Sequence, residues 1–253
     1  MNIILLGHHD IASLYALDRL IGLLPEHDYS VFLSGTSDAI PSEDSALARL
    51  ATADAHLCDR FLRGEIREPV AAQLAESPLP ALSSPNSPQG LRVLAELVPD
   101  LIISIRYRRI LREGAIAVPR LGVINLHSGI LPDYRGVMAT FWAMLAGEKD
   151  IGTTLHWIVD SGIDTGPVIG IRRKATRPDS SYLVNVLGLY AEGCGMVADA
   201  VRAIANGRSP GGCPQSPGGQ YFAAPGARDV ERFEGAGMTL FDGSEEAEIR
   251  PQP

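Results

Sequence analysis

The chain has 253 residues, of which 45% are hydrophobic, and its mean hydropathy is +0.07, so it is long enough for one large or two modest globular domains. Its formal net charge of -8 disfavours a tRNA or DNA partner, because nucleic-acid-binding proteins usually concentrate lysine and arginine on one face. The three cysteines, Cys58, Cys194 and Cys213, are too scattered for a disulfide framework or a metal-ligand pair. The sparse cysteines fit a reducing cytoplasm, and because no stretch has the roughly 18 consecutive apolar residues of a membrane span, we expect no membrane partner.

Short apolar runs alternate with segments of helical periodicity in the first half of the chain. Residues 1–6 predict a first strand, and from Asp10, the predicted N-cap, apolar residues recur at helical spacing to Leu23. The sequence then predicts a strand at 29–35, helices at 44–62 and 89–97, and a fully apolar strand at 100–105. Such alternation indicates a parallel sheet covered by helices.

The second half of the chain continues this pattern and then changes composition. It predicts strands at 121–125, 151–159 and 165–173, a short helix at 137–147 and a long helix at 181–206. We therefore predict an α/β fold, with a Rossmann-like, mostly parallel sheet and helices on both faces, in a domain at 1–206. A Gly/Pro-rich linker at 207–220 should have little fixed backbone structure, and a short C-terminal appendage at 221–253, helical from Asp229, should end in a frayed tail.

Polar side chains interrupt the apolar pattern where the strand at 121–125 ends. Asn125 and His127 are separated by one residue, so they point to the same side of an extended chain, and ligands bind beyond the carboxyl ends of strands in open parallel sheets. An amide and an imidazole can both donate to an oxyanion, and the imidazole also moves protons. Asp160 and Asp164 follow another predicted strand and could orient the imidazole. Capping and turn formation at strand ends is an equally good interpretation of these residues alone.

Three stretches that occur in a fixed order resemble one known family. They are YRRIL at 107–111, NLHSGILPDYRG at 125–136 and GTTLHWIVDSGIDTGPVI at 152–169. This arrangement resembles the folate-dependent formyltransferases, the group that contains glycinamide ribonucleotide, methionyl-tRNA and sugar-nucleotide amine formyltransferases. Their signature is Asn-x-His, then Leu-Pro, then a later Asp-[Ala/Thr]-Gly. The resemblance spans roughly 1–175 in organisation and is sharpest from 101 to 170.

The resemblance implies catalytic roles for Asn125, His127 and Asp164, with Asp160 shaping the loop. It implies 10-formyltetrahydrofolate as the co-substrate, with the pterin held largely by backbone groups of the segments 104–111 and 160–164. The residues assigned in this way to folate binding are Tyr107, Arg109, Ile110, Leu111, Asp160, Gly162 and Ile163. Acyl transfer of this kind requires no metal and no covalent enzyme intermediate, so Ser128 is interpreted as a turn residue.

Two further features lie outside the signature. The stretch GHHD at 7–10 lacks the glycines of a dinucleotide fingerprint. Its adjacent histidines point apart in a turn, which disfavours a metal site. We favour exposed imidazoles beside an N-cap there, with contact to the acceptor as the alternative. A basic cluster follows the strand at 100–105 and comprises Arg106, Arg108, Arg109 and Arg112. We interpret it mainly as a solvated face, although Arg109 could meet a folate carboxylate or a substrate anion. His156 is interpreted as a structural or surface residue.

The function expected from these observations is formyl transfer to a primary amine or hydroxylamine of a small metabolite, with an amino sugar nucleotide slightly favoured. The alternatives are hydrolysis of the same folate donor and a catalytically silent folate-binding relative. Hydrolases of the family carry an N-terminal regulatory domain, which we do not find here, and the intact signature argues against a silent protein. An NAD-linked enzyme is disfavoured by the absent glycine fingerprint. The appendage is a candidate for completing the acceptor pocket or for a homodimer contact.

Overall fold

The computed structural model describes residues 1–35, 45–66 and 81–245, which contain eight strands and seven α-helices. In chain order these are β1 (Asn2–His8), α1 (Ile11–Leu23), β2 (Asp28–Ser34), α2 (Ala46–Leu62), α3 (Pro88–Glu96), β3 (Leu101–Ile105), α4 (Glu113–Ile116), β4 (Val123–His127), β5 (Tyr134–Gly136), α5 (Ala139–Leu145), β6 (Asp150–Trp157), β7 (Val168–Ala175), α6 (Tyr182–Ala205), β8 (Gln220–Phe222) and α7 (Ala227–Gly235), followed by a 3-10 turn at Gly243–Glu245. Residue 44 of the predicted second helix and residues 246–253 of the predicted frayed tail lie outside the described residues.

Six strands form the central sheet in the order β2-β1-β3-β4-β6-β7. The pairs from β2 to β4 are parallel, whereas β6 is antiparallel to β4 and β7 is antiparallel to β6. The predicted Rossmann-like, mostly parallel sheet is confirmed. Because β6 runs against β4, the connection from β6 to β7 starts beside the beginning of β4, where the Ile158 amide donates to the Val123 carbonyl over 2.9 Å.

Alternate residues of the sheet face two apolar cores, as expected for strands that are covered on both faces. Leu5 of β1 belongs to the larger core, formed with α1 and α6, whereas Ile4 belongs to the smaller core under α3 and α4. The covering helices are N-capped: the predicted N-cap Asp10 accepts from the Ser13 amide over 2.7 Å, and Ser181 accepts from the Val184 amide over 3.3 Å. The prediction of helices on both faces is therefore confirmed.

The C-terminal appendage packs against the larger core. Phe233 of α7 is fully buried and stacks on Phe141 of α5, with ring centroids 4.5 Å apart. Upstream of α7, β8 pairs in parallel with β5 in a separate two-stranded sheet. The boundaries 1–206, 207–220 and 221–253 stay a prediction.

The expectation of little fixed backbone structure in the linker is wrong for residues 211–215. Cys213 and Val168 exchange two backbone hydrogen bonds of 2.8 Å each, and the Trp157 indole donates to the Gly211 carbonyl over 2.7 Å. Its glycines and prolines interrupt regular secondary structure, but they leave most backbone groups free to pair with a strand that is distant in sequence.

None of the helices in the described ranges has both the length and the continuous apolar character that crossing a lipid bilayer requires.

Candidate active site

Three polar side chains come together because β4 and β6 pair in one register. Asn125 lies opposite His156 and His127 lies opposite Thr154, so Asn125 and His127 project from the same face of the sheet. His127 and His156 are 7% and 2% exposed. Asp164, in the connection between β6 and β7, returns to the same place and completes a cluster of four polar groups.

The His127 ring is held at both nitrogens. Its Nε2 lies 2.6 Å from the backbone carbonyl oxygen of Tyr134, and its Nδ1 lies 3.5 Å from Oδ2 of Asp164. A carbonyl oxygen only accepts hydrogen bonds, so Nε2 carries the proton of this contact. A proton on Nδ1 would then point at the Asp164 carboxylate. Tyr134 and Asp164 therefore fix both the orientation of the ring and the position of its charge.

Asn125 is held in a similar way, by His156. The Asn125 Nδ2 atom lies 3.0 Å from Nε2 of His156 and 3.4 Å from Oδ1 of Asp164. The other ring nitrogen of His156, Nδ1, lies 2.9 Å from the carbonyl oxygen of Trp157 and so carries a proton. A neutral His156 ring accepts one amide hydrogen of Asn125 at Nε2, whereas a protonated ring donates from Nε2 to Oδ1 of Asp164, 3.4 Å away. A substrate oxygen therefore has to compete with His156 and Asp164 for the Asn125 amide.

Asp164 is the negative centre of the cluster. Its backbone is left-handed, with φ 54°, a conformation that aspartate tolerates better than most residues. Burial alone would raise the pKa of this carboxyl, but the His127 charge, the His156 contact and the Gly136 amide, which donates to Oδ2 over 2.9 Å, lower it to about 2. Asp164 is therefore ionised throughout the physiological pH range.

Gln215 fixes the backbone at Asp164 and just after it. The Gln215 side-chain amide donates to the carbonyl oxygens of Asp164 and Gly166 over 2.8 and 2.9 Å. Gly166 leaves no space for a side chain, since a Cβ atom there would lie 1.8 Å from the Trp157 carbonyl oxygen. This close packing sets the position from which the Asp164 carboxylate enters the cluster.

The segment after β3, which carries four of the residues assigned to folate binding, is anchored on one side and open on the other. Leu111 is buried and the Tyr107 hydroxyl donates to the Leu82 carbonyl, whereas Ile110 is 50% exposed. Arg109 donates from Nε to the Ser83 carbonyl over 3.1 Å, which uses one face of its guanidinium. The structure therefore places the Ile110 side chain, rather than the Tyr107 hydroxyl, at the open surface.

The loop between β6 and β7 carries the other residues assigned to folate. Asp160 Oδ1 accepts from the Gly162 amide over 2.7 Å, which closes a tight turn at the tip of the loop. Ile163 and Val159 are 37% and 58% exposed, while Ile158, next to Val159, packs into the same apolar core as Leu111. Both loops are thus rooted in one core and present apolar side chains to solvent.

A second polar cluster lies at the carboxyl ends of β1 and β3 and corrects two interpretations of the sequence. His8 is buried rather than exposed, and burial lowers its pKa to about 4, so it is a neutral imidazole, with Nδ1 2.9 Å from the Ser34 hydroxyl. Arg106 is largely covered rather than solvated: its side chain is 15% exposed and contacts Asp10 with three N–O distances of 2.8–3.1 Å, from a left-handed backbone with φ 59°. Asp54 of α2 also faces this cluster and accepts from the Ile11 amide over 3.0 Å.

Sequence reasoning missed His156 and Gln215. The signal for His156 is its register: it lies two residues after Thr154, and only the antiparallel pairing of β6 with β4 places it opposite Asn125. Gln215 has no local signal, since it lies 51 residues from Asp164 in a segment of low-complexity appearance.

Comparison with known proteins places this geometry in a family. A family model described as Formyl transferase matches residues 48–180, just over half of the chain. The chain belongs to the formyl transferase family. The match includes all three signature stretches, and it covers Asn125, His127, His156 and Asp164.

Individual formyl transferases show the same relationship. The methionyl-tRNA formyltransferase of Sorangium cellulosum is 33% identical over 185 residues, which are 70% of this chain and 59% of that protein. The chain spans about half the length of the curated relatives that it matches. A sugar N-formyltransferase structure from a Shewanella species superposes with TM-score 0.60 at 13% identity, covering 88% of this chain and 77% of its own. The formyltransferase PseJ of Anoxybacillus kamchatkensis superposes with TM-score 0.54 at 20% identity over the whole of both chains, so the fold is shared.

Proposed function

We propose that the chain transfers a formyl group from 10-formyltetrahydrofolate to an amine of a small metabolite, and we favour an amino sugar nucleotide as the acceptor. The observation that carries the proposal is the cluster of Asn125, His127 and Asp164, held by hydrogen bonds in a member of the formyl transferase family. Two donors beside one ionised carboxylate are what acyl transfer to an amine needs.

The loops around the cluster fit a folate. Ile110, Val159 and Ile163 are exposed apolar side chains on two loops that share one apolar core, so a flat heterocycle would find apolar contact between them. PseJ was crystallised in complex with UDP-4,6-dideoxy-4-formamido-L-AltNAc and tetrahydrofolate, and these two ligands support both halves of the proposal, the acceptor class and the donor. 10-Formyltetrahydrofolate would supply the formyl group when it is bound.

Asn125 and His127 would stabilise negative charge on the formyl oxygen as the amine attacks. Losing one such donor typically costs roughly 3–4 kcal/mol in the transition state. In the cluster both donors are directed at the Asp164 carboxylate. This internal acceptor holds the donors in place until a substrate oxygen replaces it as their acceptor. This is preorganisation of the kind that makes such donors effective.

Asp164 would act as a fixed negative charge. Because its pKa is lowered to about 2, its carboxylate is a weak base and a poor acceptor for the amine proton. It would instead keep the His127 ring and the Asn125 amide oriented. His127 is then the group best suited to move protons: as an imidazolium it would give one proton to the leaving nitrogen, and the neutral ring would then take the proton of the attacking amine. Ser128 has no part in this scheme.

The acceptor class is the open part of the proposal. Methionyl-tRNA formyltransferases are the curated relatives, whereas sugar N-formyltransferases are among the structural neighbours. The net charge of -8 supports a small acceptor, because tRNA binding depends on positive charge along the phosphate backbone.

The test is a screen of amines with 10-formyltetrahydrofolate, read by mass spectrometry for the addition of one formyl group. Nucleotide-linked amino sugars, hydroxylamines and methionyl-tRNA are separate arms, and tetrahydrofolate released without an acceptor measures hydrolysis. We expect formylation of a sugar-nucleotide amine and a slower reaction with water. Formylation of methionyl-tRNA alone would contradict the acceptor class, and no formyl transfer or folate binding in any arm would contradict the function.

A further inference from the structure

The short strand β5 has two edges with different partners. On one edge the Val137 amide donates to the Phe222 carbonyl over 2.9 Å and the Gln220 amide donates to the Asp133 carbonyl over 3.3 Å, so β8 is paired there. On the other edge the Tyr134 carbonyl and the Gly136 amide point away from β8, and they contact His127 and Asp164 over 2.6 and 2.9 Å. One strand therefore divides its backbone groups between the C-terminal segment and two proposed catalytic side chains.

Residues 211–215 reach the loop that carries Asp164 by a second route. Cys213 is paired with Val168 at the start of β7, and this pairing brings the half-buried Gln215 against the loop that carries Asp164. Its amide then bridges the carbonyls of Asp164 and Gly166, next to a backbone in the sparsely populated left-handed region. The bridge holds that conformation from outside the loop.

We propose that residues 211–222 form an active-site clamp, in which Gln215 is a positioning residue for the Asp164 carboxylate and β8 fixes the strand that orients His127. This inference rests on the proposed function, since it takes Asp164 and His127 as the reacting pair. The clamp contacts the backbone that carries or contacts these side chains. It does not contact the reacting atoms, so its role is to position Asp164 and His127.

The clamp predicts a sharp difference between two neighbouring amides. The Gly136 amide is bonded to the Asp164 carboxylate, whereas the Val137 amide is bonded to β8. The isosteric change Gln215→Glu replaces the Nε2 group, and with it both donated hydrogens, by one carboxylate oxygen that faces two carbonyl oxygens, so the Asp164 loop should shift and release Gly136 while Val137 stays bonded. Gln220 contributes to the clamp through its backbone while its side chain is exposed, so Gln220→Glu makes the same chemical change away from the backbone contacts of the clamp and is the matched control.

The experiment measures residue-resolved hydrogen exchange by NMR in the wild type, Gln215→Glu, Gln215→Ala and Gln220→Glu. We expect exchange at Gly136 to be at least about tenfold faster in both Gln215 variants and unchanged in Gln220→Glu, with exchange at Val137 within about twofold everywhere. Thermal midpoints should stay within a few degrees, because Gln215 is not part of the apolar core. Equal exchange at Gly136 in all four proteins would overturn the clamp.

Binding and turnover separate this inference from the proposed function. Calorimetry with 5-formyltetrahydrofolate and kinetics with the amine found in the screen are run on the same proteins. We expect kcat to fall about tenfold to a hundredfold in Gln215→Glu with less than a threefold change in the acceptor KM, since misplacing one reacting group costs about this much. No binding of 5-formyltetrahydrofolate by the wild type would count against the proposed function. Wild-type binding and turnover, with the same kcat in Gln215→Glu, would instead overturn the clamp alone.

Discussion

Gly129 lies directly against the contact between His127 and Tyr134. A Cβ atom built at Gly129 would lie 2.6 Å from Nε2 of His127 and 2.7 Å from the Tyr134 carbonyl oxygen, and it would also meet the Ala139 Cβ atom at 2.6 Å. Two of these three neighbours belong to the hydrogen bond that orients the imidazole. The absence of a side chain at residue 129 is therefore a condition for the geometry of the site.

We predict that Gly129→Ala lowers formyl transfer by about a hundredfold, because the methyl group must displace the imidazole or the carbonyl, and a shift of this size in a reacting group has that effect. Steady-state kinetics with the acceptor from the amine screen measure the loss. Gly195→Ala is the control, since a Cβ atom at that position of α6 has nothing within 4 Å. The control should keep full activity and gain about 0.5–1 kcal/mol of stability from better helix propensity. Full activity in Gly129→Ala would contradict the assigned role of the contact.

The side chains of the cluster give a second prediction. Asn125→Ala removes a donor and should lower kcat by about two to three decades. Asp164→Asn keeps the shape of the side chain but removes the charge opposite His127. One carboxylate oxygen now accepts from the Gly136 amide, and in the variant an amide oxygen or nitrogen takes its place. We expect a loss of similar size there, measured in single-turnover kinetics. Near wild-type turnover in either variant would show that the assigned roles are wrong.

The main elements of this fold were predictable because their signals are local, whereas the short elements α4, β5 and β8 were not predicted. The N-cap at Asp10, the apolar run of β3 and the long periodic segment of α6 each depend on residues within a few positions, and each lies in the structure close to its predicted range. The shared direction of Asn125 and His127 is equally local, since side chains alternate along any strand. The polar groups at the carboxyl end of β4 are a local signal as well, because they follow directly on an apolar run in the sequence.

The missing parts of the site depend on contacts between distant segments. His156 reaches Asn125 only through the register of β6 against β4, and Gln215 reaches Asp164 only through the pairing of Cys213 with Val168. The contact of Arg106 with Asp10 starts from a left-handed backbone at Arg106, and an arginine in the sequence does not predict such a backbone. Register, long-range pairing and single left-handed residues are properties of the folded chain that no sequence period reports.

The buried ion pair beside α1 gives a third prediction. In the wild type, burial would raise the pKa of the Asp10 carboxyl, but Arg106 lowers it to about 2. Arg106→Leu leaves this carboxylate without its main partner. Removing one member of a buried pair typically costs about 3–5 kcal/mol, and we expect a loss of this size in urea unfolding. Arg120→Leu is the control, because the pair of Arg120 with Asp100 has the same 2.8 Å contact at the surface and should cost under about 1 kcal/mol. Adding Asp10→Asn to Arg106→Leu should recover part of the loss, because the unpaired charge is then gone; equal losses for the two arginines would contradict this account.

Asp54 gives a prediction about pH. Burial and the neighbouring Asp10 charge raise the pKa of its carboxyl from 3.8 to about 7, although it accepts a hydrogen bond from the Ile11 amide. The folded protein therefore holds a proton that the unfolded chain has lost between these two values, so this group lowers stability as the pH rises through that window, and the full penalty is present above pH 7. Asp54→Asn removes the penalty and keeps an oxygen for the Ile11 amide.

We expect Asp54→Asn to raise the thermal midpoint by a few degrees at about pH 8 and to leave it nearly unchanged at about pH 4, the low end of the window. Differential scanning calorimetry at several pH values between these limits measures the difference from the wild type. Asp59→Asn, on the exposed side of the same helix, makes the same change in net charge and should show no such trend. A gain for Asp54→Asn that is the same at both pH values would mean that the neutral side chain packs better, and that titration of Asp54 is not the cause.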